Sequence, residues 1–481
     1  MTTPSVVLEP RRGIGHELVQ LPRERRLNLV SLLWLIFFTT CGGAFGLEPL
    51  VGAVGPALAL LLIVVVPFVW SLPTALMTAE LTALIPEEGG YYVWIREAFG
   101  SFWAVQQAVW IMTTAVVWLA MFPVLFVSYL SYFFPAIVPV PGSPHQQMNA
   151  VICWALAALV IACGAILNLR GARDVGRSAN VSAYFVLGAF LILLLVWMKR
   201  SPTPEPVLGV LRNDPGLSNK GALLLGLSYI TFNTSGWDNA STYAGEVNEP
   251  QRNYPRALIG AVFVLILCYV FPVIAGVTVT TDPSLWSADA GWPAVAATIG
   301  GRWLGNLLAA AGLVSTFGLF SSQLLYVSRL PLVLACDGWL PRIFARTSPD
   351  AAAPRVSIVT FALIAMIFAA LSFGSLAIIQ CVLYAACLTF EFLALLFLRV
   401  RYPNAARSFR VPGGWLGLGY VCLAPFAFAV VLLCATLREW RSFPGQLGVV
   451  AGVVAGGVML YSVRRRTAAI HANRPGYDAS E

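Results

Sequence analysis

Twelve apolar runs, each about 20 residues long, recur along the chain and limit what it can fold into. A helix of that length spans the hydrocarbon core of a bilayer. Apolar types make up 58% of the residues and charged types 11%, whereas soluble domains have about 25% charged residues. The composition therefore excludes a soluble enzyme, a nucleic-acid-binding protein, a disordered protein and a disulfide scaffold. It predicts an all-α integral membrane protein with about twelve transmembrane helices. The runs begin near Leu29, Ala57, Phe102, Ala150, Asn180, Lys220, Ala257, Trp303, Val356, Leu376, Trp415 and Leu447.

The basic residues are distributed unevenly among the segments between these runs. If the N-terminus is cytoplasmic, an even number of helices returns the C-terminus to the same side. Seven of the 30 basic residues then lie outside and the other 23 lie in the cytoplasm, in agreement with the positive-inside rule. We therefore expect an integral protein of the cytoplasmic membrane with both termini cytoplasmic. The seven exceptions are Lys199, Arg200, Arg212, Lys220, Arg302, Arg438 and Arg441.

Two predicted helices, the first and the sixth, are interrupted by glycines and small polar residues at 39–49 and 231–239. Unpaired backbone groups in mid-membrane are tolerated where they line a protein cavity. Broken helices at matching positions of inverted halves indicate a transport site at the membrane midplane. Because these helices open two five-helix halves, we predict a five-plus-five inverted repeat followed by two extra helices. The alternative is that the glycines only permit close helix packing.

This interpretation divides the chain into six segments. They are a cytoplasmic tail at 1–28, a first repeat at 29–199, an extracellular loop at 200–219, a second repeat at 220–400, two extra helices at 401–463 and a cytoplasmic tail at 464–481.

The interrupted stretches supply the candidate substrate-binding residues. Free N–H groups at the start of a half-helix favour a carboxylate, and free carbonyl groups at the end of one favour an ammonium group. An amino acid carries both groups, whereas acids near the breaks favour a cationic ligand or a proton. Trp118 and Phe122 are additional candidates for an aromatic wall. The candidate substrate-binding residues are Cys41, Gly42, Gly43, Ala44, Phe45, Gly46, Glu48, Phe232, Asn233, Thr234, Ser235, Gly236, Trp237 and Asp238.

Five acidic residues, Glu48, Glu80, Asp238, Glu246 and Glu391, lie in or at the edges of apolar runs. An ionisable residue in a membrane helix indicates a functional site. Because no Lys or Arg lies deep in a run, we expect their partners to be a proton, a cation or a basic substrate group. Glu48, Asp238 and Glu391 are the candidates for proton coupling, and Glu80 and Glu246 are interpreted as a gate or a structural turn.

Each coupling candidate has a structural alternative. Glu48 is alternatively a carboxylate at a helix start, and Asp238 is alternatively an N-cap. Glu391 is alternatively a protonated acid that holds helices together.

Cysteine and histidine show no catalytic or metal-binding pattern. The nine cysteines include no CxxC pair, and the three histidines, His16, His145 and His471, lie in polar segments. An intramembrane protease needs a Ser–His, Asp–Asp or metal constellation, and none is visible. We therefore expect no enzyme activity, no metal, no cofactor and no nucleic-acid partner.

Three groups of motifs carry a family resemblance. The first joins residues 79–81, 86–92 and 96–100, the second is 244–257, and the third joins Arg329, 336–341 and Phe344. In this order they resemble the amino acid–polyamine–organocation (APC) superfamily of permeases over nearly the whole chain. The resemblance implies a LeuT-like inverted-repeat fold with the first and sixth helices at the substrate.

Shorter stretches at 42–48, 237–242 and 388–392 most resemble the polyamine-uptake branch, which lies near the L-type amino acid carriers. This resemblance carries Glu48, Asp238 and Glu391 over as candidate amine or proton sites. Some proton-coupled relatives place a lysine in the fifth helix, but residues 180–198 contain none, so lysine-based coupling is not expected.

The eighth helix leaves open a sodium site formed by hydroxyl groups, with ordinary polar packing as the alternative. The residues concerned are Ser315, Thr316, Ser321 and Ser322.

These observations predict a secondary active transporter of amino acids or polyamines that works by alternating access and is proton-coupled. The alternatives are a substrate-binding sensor or receptor on the same fold and a sodium-coupled or exchange-type carrier. Membrane lipid is the expected surrounding, and the oligomeric state is left open.

Overall fold

The computed structural model describes residues 26–200, 220–286, 291–348, 353–369, 374–439 and 444–472. Within these ranges the chain is almost entirely helical, and a single parallel bridge joins Leu27 to Val247. Most of the two predicted tails and of the predicted loop at 200–219 lie outside the described residues, as does the junction at 370–373 between the ninth and tenth runs.

Seventeen α-helices follow one another in the described ranges. They are α1 Leu29–Thr40, α2 Glu48–Val54, α3 Pro56–Val66, α4 Leu72–Leu84, α5 Tyr91–Phe99, α6 Ser101–Ser131, α7 Gln146–Leu169, α8 Ala172–Arg200, α9 Lys220–Asn233, α10 Pro250–Val277, α11 Gly291–Gly300, α12 Arg302–Val327, α13 Arg329–Cys336, α14 Arg355–Phe368, α15 Gly374–Arg401, α16 Gly414–Glu439 and α17 Pro444–Ala472.

A helix begins close to each of the twelve predicted starts. The largest offset is eight residues, between the predicted Asn180 and the observed Ala172. In the described ranges, eight helical stretches are long and apolar enough to cross a membrane, and α1 and α14 are shorter apolar helices. The protein is therefore an integral membrane protein, while the count of twelve spans and the inverted repeat remain predictions.

The centre of the bundle is formed by α12, which packs against α1, α6 and α8. The outer helices expose large apolar side chains, such as Leu159 on α7 and Leu416 on α16, which are 60% and 89% exposed. Such surfaces suit lipid rather than water, because lipid tails are apolar.

The first interruption separates α1 from α2. The chain leaves helical geometry after Thr40 and resumes it at Glu48. Gly42, Gly43 and Gly46 have φ of 61°, 108° and 91°, values at which a side chain would be strained. The glycine cluster therefore ends α1 and turns the chain.

The second interruption follows α9. After Asn233 the chain passes through Gly236, with φ of 108°, into a short 3₁₀ helix at Asn239–Glu246. Both predicted interruptions are thus present at the predicted residues.

Candidate functional site

A narrow cavity of about 30 Å³ lies between the two interruptions. Six of the predicted substrate-binding residues line it, together with the predicted wall residues Trp118 and Phe122. The six are Cys41, Phe45, Gly46, Phe232, Asn233 and Ser235. Thr39, Thr40, Leu125, Leu319 and Gln323, which were not predicted, complete the lining.

Neighbouring side chains satisfy the carbonyl groups that the first interruption frees. Gln323 Nε2 donates to Thr39 O over 2.9 Å, and Ser315 Oγ donates to Gly42 O over 2.5 Å. Trp292 Nε1 donates to Ala44 O over 2.7 Å. The break is therefore held in one conformation by side chains from other helices, as non-helical backbone in a membrane requires.

Asn233 joins the two interruptions directly. Its Nδ2 donates to Gly46 O over 2.9 Å, and a Cβ at position 46 would lie only 2.7 Å from Asn233 Oδ1. The backbone O of Asn233 accepts from the Tyr269 hydroxyl over 2.6 Å. Gly46 is thus required both for its positive φ and for this close approach.

The remaining predicted residues lie behind the cavity wall. A Cβ on Gly43 would meet Val186 at 2.8 Å, so this glycine faces α8. Trp237 is fully buried, and its Nε1 donates to Thr234 O over 2.8 Å. Trp237 therefore closes the second turn rather than lining the cavity.

Glu48 is the first residue of α2, and protein donors occupy its carboxylate. Oε2 accepts from Gly46 N over 2.6 Å. Oε1 accepts from the Tyr129 hydroxyl over 2.9 Å and from Trp292 N over 3.2 Å. The side chain is 2% exposed and does not line the cavity. This geometry is that of a carboxylate at a helix start.

Asp238 is fully buried beside the second interruption. Its Oδ1 accepts from the Tyr384 hydroxyl over 2.5 Å, whereas its Oδ2 has no hydrogen-bond partner among the described residues. It precedes the 3₁₀ helix but makes no side-chain capping bond. Tyr384 packs against Trp118 at 5.6 Å between ring centroids, so Asp238 lies one side chain behind the cavity wall.

Glu391 on α15 is also fully buried. Gln107 Nε2 donates to its Oε1 over 2.7 Å, and its Oε2 has no partner among the described residues. Tyr384, which binds Asp238, lies on the same helix as Glu391, two turns before it. In the described part of the chain, neither acid forms an ion pair.

For Glu80 and Glu246, the expectation that the acids lack basic partners is wrong. Arg399 Nη2 and Arg407 Nη1 each lie 2.6 Å from a Glu80 oxygen, and Arg329 Nε lies 2.8 Å from Glu246 Oε1. These arginines sit at helix ends or in loops in the sequence, and tertiary packing folds them back onto the acids. Both carboxylates are therefore structural ion-pair partners.

The hydroxyl groups proposed for a sodium site face different neighbours. Ser315 Oγ bonds to Gly42 O, and Thr316 Oγ1 bonds to Gly312 O over 2.9 Å. Ser321 Oγ lies 3.5 Å from the position of a Cβ on Gly164 of α7. Ser321 Oγ and Ser322 Oγ are buried without a hydrogen-bond partner among the described residues. Packing therefore accounts for Ser315 and Thr316, and the sodium site stays a prediction.

Sequence reasoning missed Tyr384, Gln107 and Gln323. Tyr384 precedes Glu391 by seven residues in one apolar run, and that spacing places both on one helix face. The two glutamines are isolated amides within apolar runs, which is a signal of interhelical bonding.

Comparison with known proteins agrees with this architecture. The family model for amino acid permeases matches residues 27–455. Polyamine transporter RMV1 of Arabidopsis thaliana is 33% identical over 414 residues, which cover 86% of this chain and 81% of that protein. Polyamine transporter PUT1 of Oryza sativa subsp. japonica is 34% identical over 445 residues, which cover 92% and 78%.

These similarities extend over nearly the whole chain and confirm the resemblance to the APC superfamily. The match to the permease family and to relatives that are transporters identifies the protein as a transporter and not an enzyme. The chain therefore belongs to the amino acid permease family.

Proposed function

We propose that this protein is a secondary active transporter of cationic amines, polyamines above all, which works by alternating access and is coupled to protons. The observation that carries this proposal is the state of Asp238. It is a fully buried carboxylate beside the break after α9, with one free oxygen and no basic partner among the described residues. A buried carboxylate is stable when a cation or a proton compensates it.

The cavity chemistry supports a cationic ligand. Phe45, Trp118 and Phe232 present aromatic rings to it, and aromatic faces attract ammonium groups. Trp118 Nε1 and Gln323 Oε1 have no hydrogen-bond partner among the described residues. The amide oxygen of Gln323 is thus an acceptor for an ammonium N–H. The relatives named as polyamine transporters support the same substrate class.

The small size of the cavity supports alternating access. Pockets for small molecules are usually about 300–1,000 Å³, whereas this cavity holds about 30 Å³. A polyamine therefore enters only after helices beside the breaks move apart. The interrupted ends of α1 and α9 supply hinges for that motion, because few helical hydrogen bonds cross them.

Proton coupling is assigned to Asp238 and Glu391 together. Two carboxylates that interact in a low-dielectric site do not both ionise readily, so the pair holds a proton when the site is closed. Hydration on opening releases it. Glu48 is not part of this pair, because three protein donors already satisfy its oxygens.

The test is uptake of labelled spermidine, putrescine, arginine and leucine into sealed proteoliposomes, with and without a pH gradient. We expect cationic substrates to accumulate, and accumulation to increase with an inward proton gradient. Asp238→Asn should weaken spermidine affinity about tenfold, because the negative charge behind the cavity wall would no longer attract the ammonium groups of the substrate. Leucine transport should not fall in parallel.

Glu48→Gln is the matched control, since it removes a different buried carboxylate. It should lower the melting temperature but leave the preference for spermidine over leucine unchanged. Equal loss of preference in both variants would contradict the role given to Asp238. Binding of spermidine without accumulation would identify a sensor instead of a transporter.

A further inference from the structure

A polar cleft of about 390 Å³ lies where α1 and α8 begin, away from the central cavity. The arginine distribution predicts this to be the cytoplasmic face. The chain entering α1 supplies one wall, with Arg26, Asn28 and Ser31, and the first turns of α8 supply the other. The bridge between Leu27 and Val247 places Asn248 at its edge.

The cleft is positively charged. Arg173, Arg177 and Asn180 follow one another at i, i+4 and i+7 of α8, so they share one helix face. No acidic side chain is among the lining residues. The neighbouring acid Asp174 lies 3.5 Å from Arg177 Nη1, and both side chains of that pair are exposed. An exposed pair of this kind holds its arginine weakly, so Arg177 remains available to an anion.

Backbone and amide groups add further donors. Asn28 accepts from Ser31 N over 2.8 Å and so caps one N–H group in the first turn of α1. The N–H groups of the first two residues of α1 receive no bond from this side chain. The 29-residue helix α8 also begins beside the cleft. Helix N-termini favour anions, phosphate in particular. Two arginines and two helix starts at one cleft therefore suit a phosphate group.

The apolar surface next to the cleft indicates where that phosphate comes from. The stripe of α8 that carries Arg173 and Arg177 continues into Val181, Tyr184 and Phe185, which are 71%, 59% and 41% exposed. Basic side chains thus give way to lipid-facing apolar ones within one turn of the helix. This is the pattern of a phospholipid, whose headgroup is anionic and whose acyl chains are apolar.

The chain's own N-terminal segment suits the cleft less well than an anionic lipid does, because of its charge. Residues 1–25 contain four arginines and three glutamates, so their net charge has the same sign as the cleft. We propose that the cleft binds the phosphate group of an anionic phospholipid, with Arg173 and Arg177 as the ligating side chains and the acyl chains along α8.

The test measures the melting temperature of the purified full-length protein in detergent, titrated with dioctanoyl phosphatidylglycerol, dioctanoyl phosphatidylcholine or inorganic phosphate. Phosphatidylglycerol should raise the melting temperature saturably, and the shift should shrink at high salt. In the double variant Arg173→Gln/Arg177→Gln, the apparent affinity should fall at least tenfold.

The matched control is Arg170→Gln/Arg342→Gln, which removes two exposed arginines that do not line the cleft. It should retain the affinity of the unmodified protein. An equal response to phosphatidylcholine, or an unchanged affinity in the first double variant, would overturn the proposal. If inorganic phosphate raises the melting temperature as much as phosphatidylglycerol does, the lipid proposal is wrong and the ligand of the cleft is a soluble phosphate compound.

Discussion

The hydroxyl group of Tyr384 donates a 2.5 Å hydrogen bond to Oδ1 of Asp238. The hydroxyl oxygen of Tyr384 in turn accepts from Gly236 N over 2.8 Å. One side chain of α15 therefore holds both the backbone and the carboxylate of the interruption after α9. If α15 moves relative to α9, either these two hydrogen bonds break or the interruption moves together with α15.

Replacing Tyr384 by phenylalanine should destabilise this interruption. The buried N–H of Gly236 and Oδ1 of Asp238 would each lose a partner, at a cost of about 1–3 kcal/mol per group. We expect a lower melting temperature in detergent and slower spermidine uptake. The control is Tyr461→Phe, because the Tyr461 hydroxyl makes no hydrogen bond within the described part of the chain. Equal melting temperatures for the two variants would contradict the bridging role.

Replacing Gly236 by alanine should abolish transport. A Cβ there would lie 2.9 Å from the backbone O of Thr39, and φ is 108°, so neither the neighbour nor the backbone can adjust cheaply. Gly188→Ala on α8 is the control, since its Cβ would meet no atom within 4 Å. We expect Gly188→Ala to transport normally and to be slightly stabilised. If Gly236→Ala takes up substrate as well as Gly188→Ala does, the interruption is not needed for transport and its glycine serves only helix packing.

Replacing Glu80 by glutamine should strongly reduce stability. Its carboxylate binds Arg399 and Arg407 and also accepts from Val411 N over 2.7 Å. Breaking a buried ion pair in this way costs about 3–5 kcal/mol, because the basic partners stay buried. The measurement is the melting temperature in detergent. Glu249→Gln is the control, because the Glu249 side chain is 68% exposed in its pair with Arg252; a similar decrease in both variants would disprove the structural role of Glu80.

Glu88, in the loop between α4 and α5, should make stability depend on pH. Burial and the neighbouring Glu246 raise the pKa of Glu88 from 4.5 to about 8, although Arg329 opposes the rise. The folded state then binds more protons than the unfolded state between these values, so stability falls as pH rises from about 4.5 to 8.

The variant Glu88→Gln removes this titration. We expect its melting temperature to decrease less steeply between pH 5 and 8 than that of the unmodified protein. Glu249→Gln should retain the original slope. Parallel curves for the unmodified protein and Glu88→Gln would show that Glu88 does not titrate in this range.

The sequence alone determined the helical starts and the positions of both interruptions. Burial of a long apolar run and the backbone freedom of Gly42, Gly43 and Gly236 act locally, so they can be recognised without knowing which helices are neighbours. The same holds for the family, because its motifs lie in order along the chain.

Tertiary structure alone decided which partners each buried acid meets. Glu80 meets Arg399, which is 319 residues away, and Asp238 meets Tyr384, which is 146 residues away. The sequence predicts Glu48 as a proton carrier, yet in the structure Tyr129 and Trp292 donate to one of its oxygens. The charge and role of a buried carboxylate depend on which donors surround it, and those donors are set by how the helices pack, not by the local sequence.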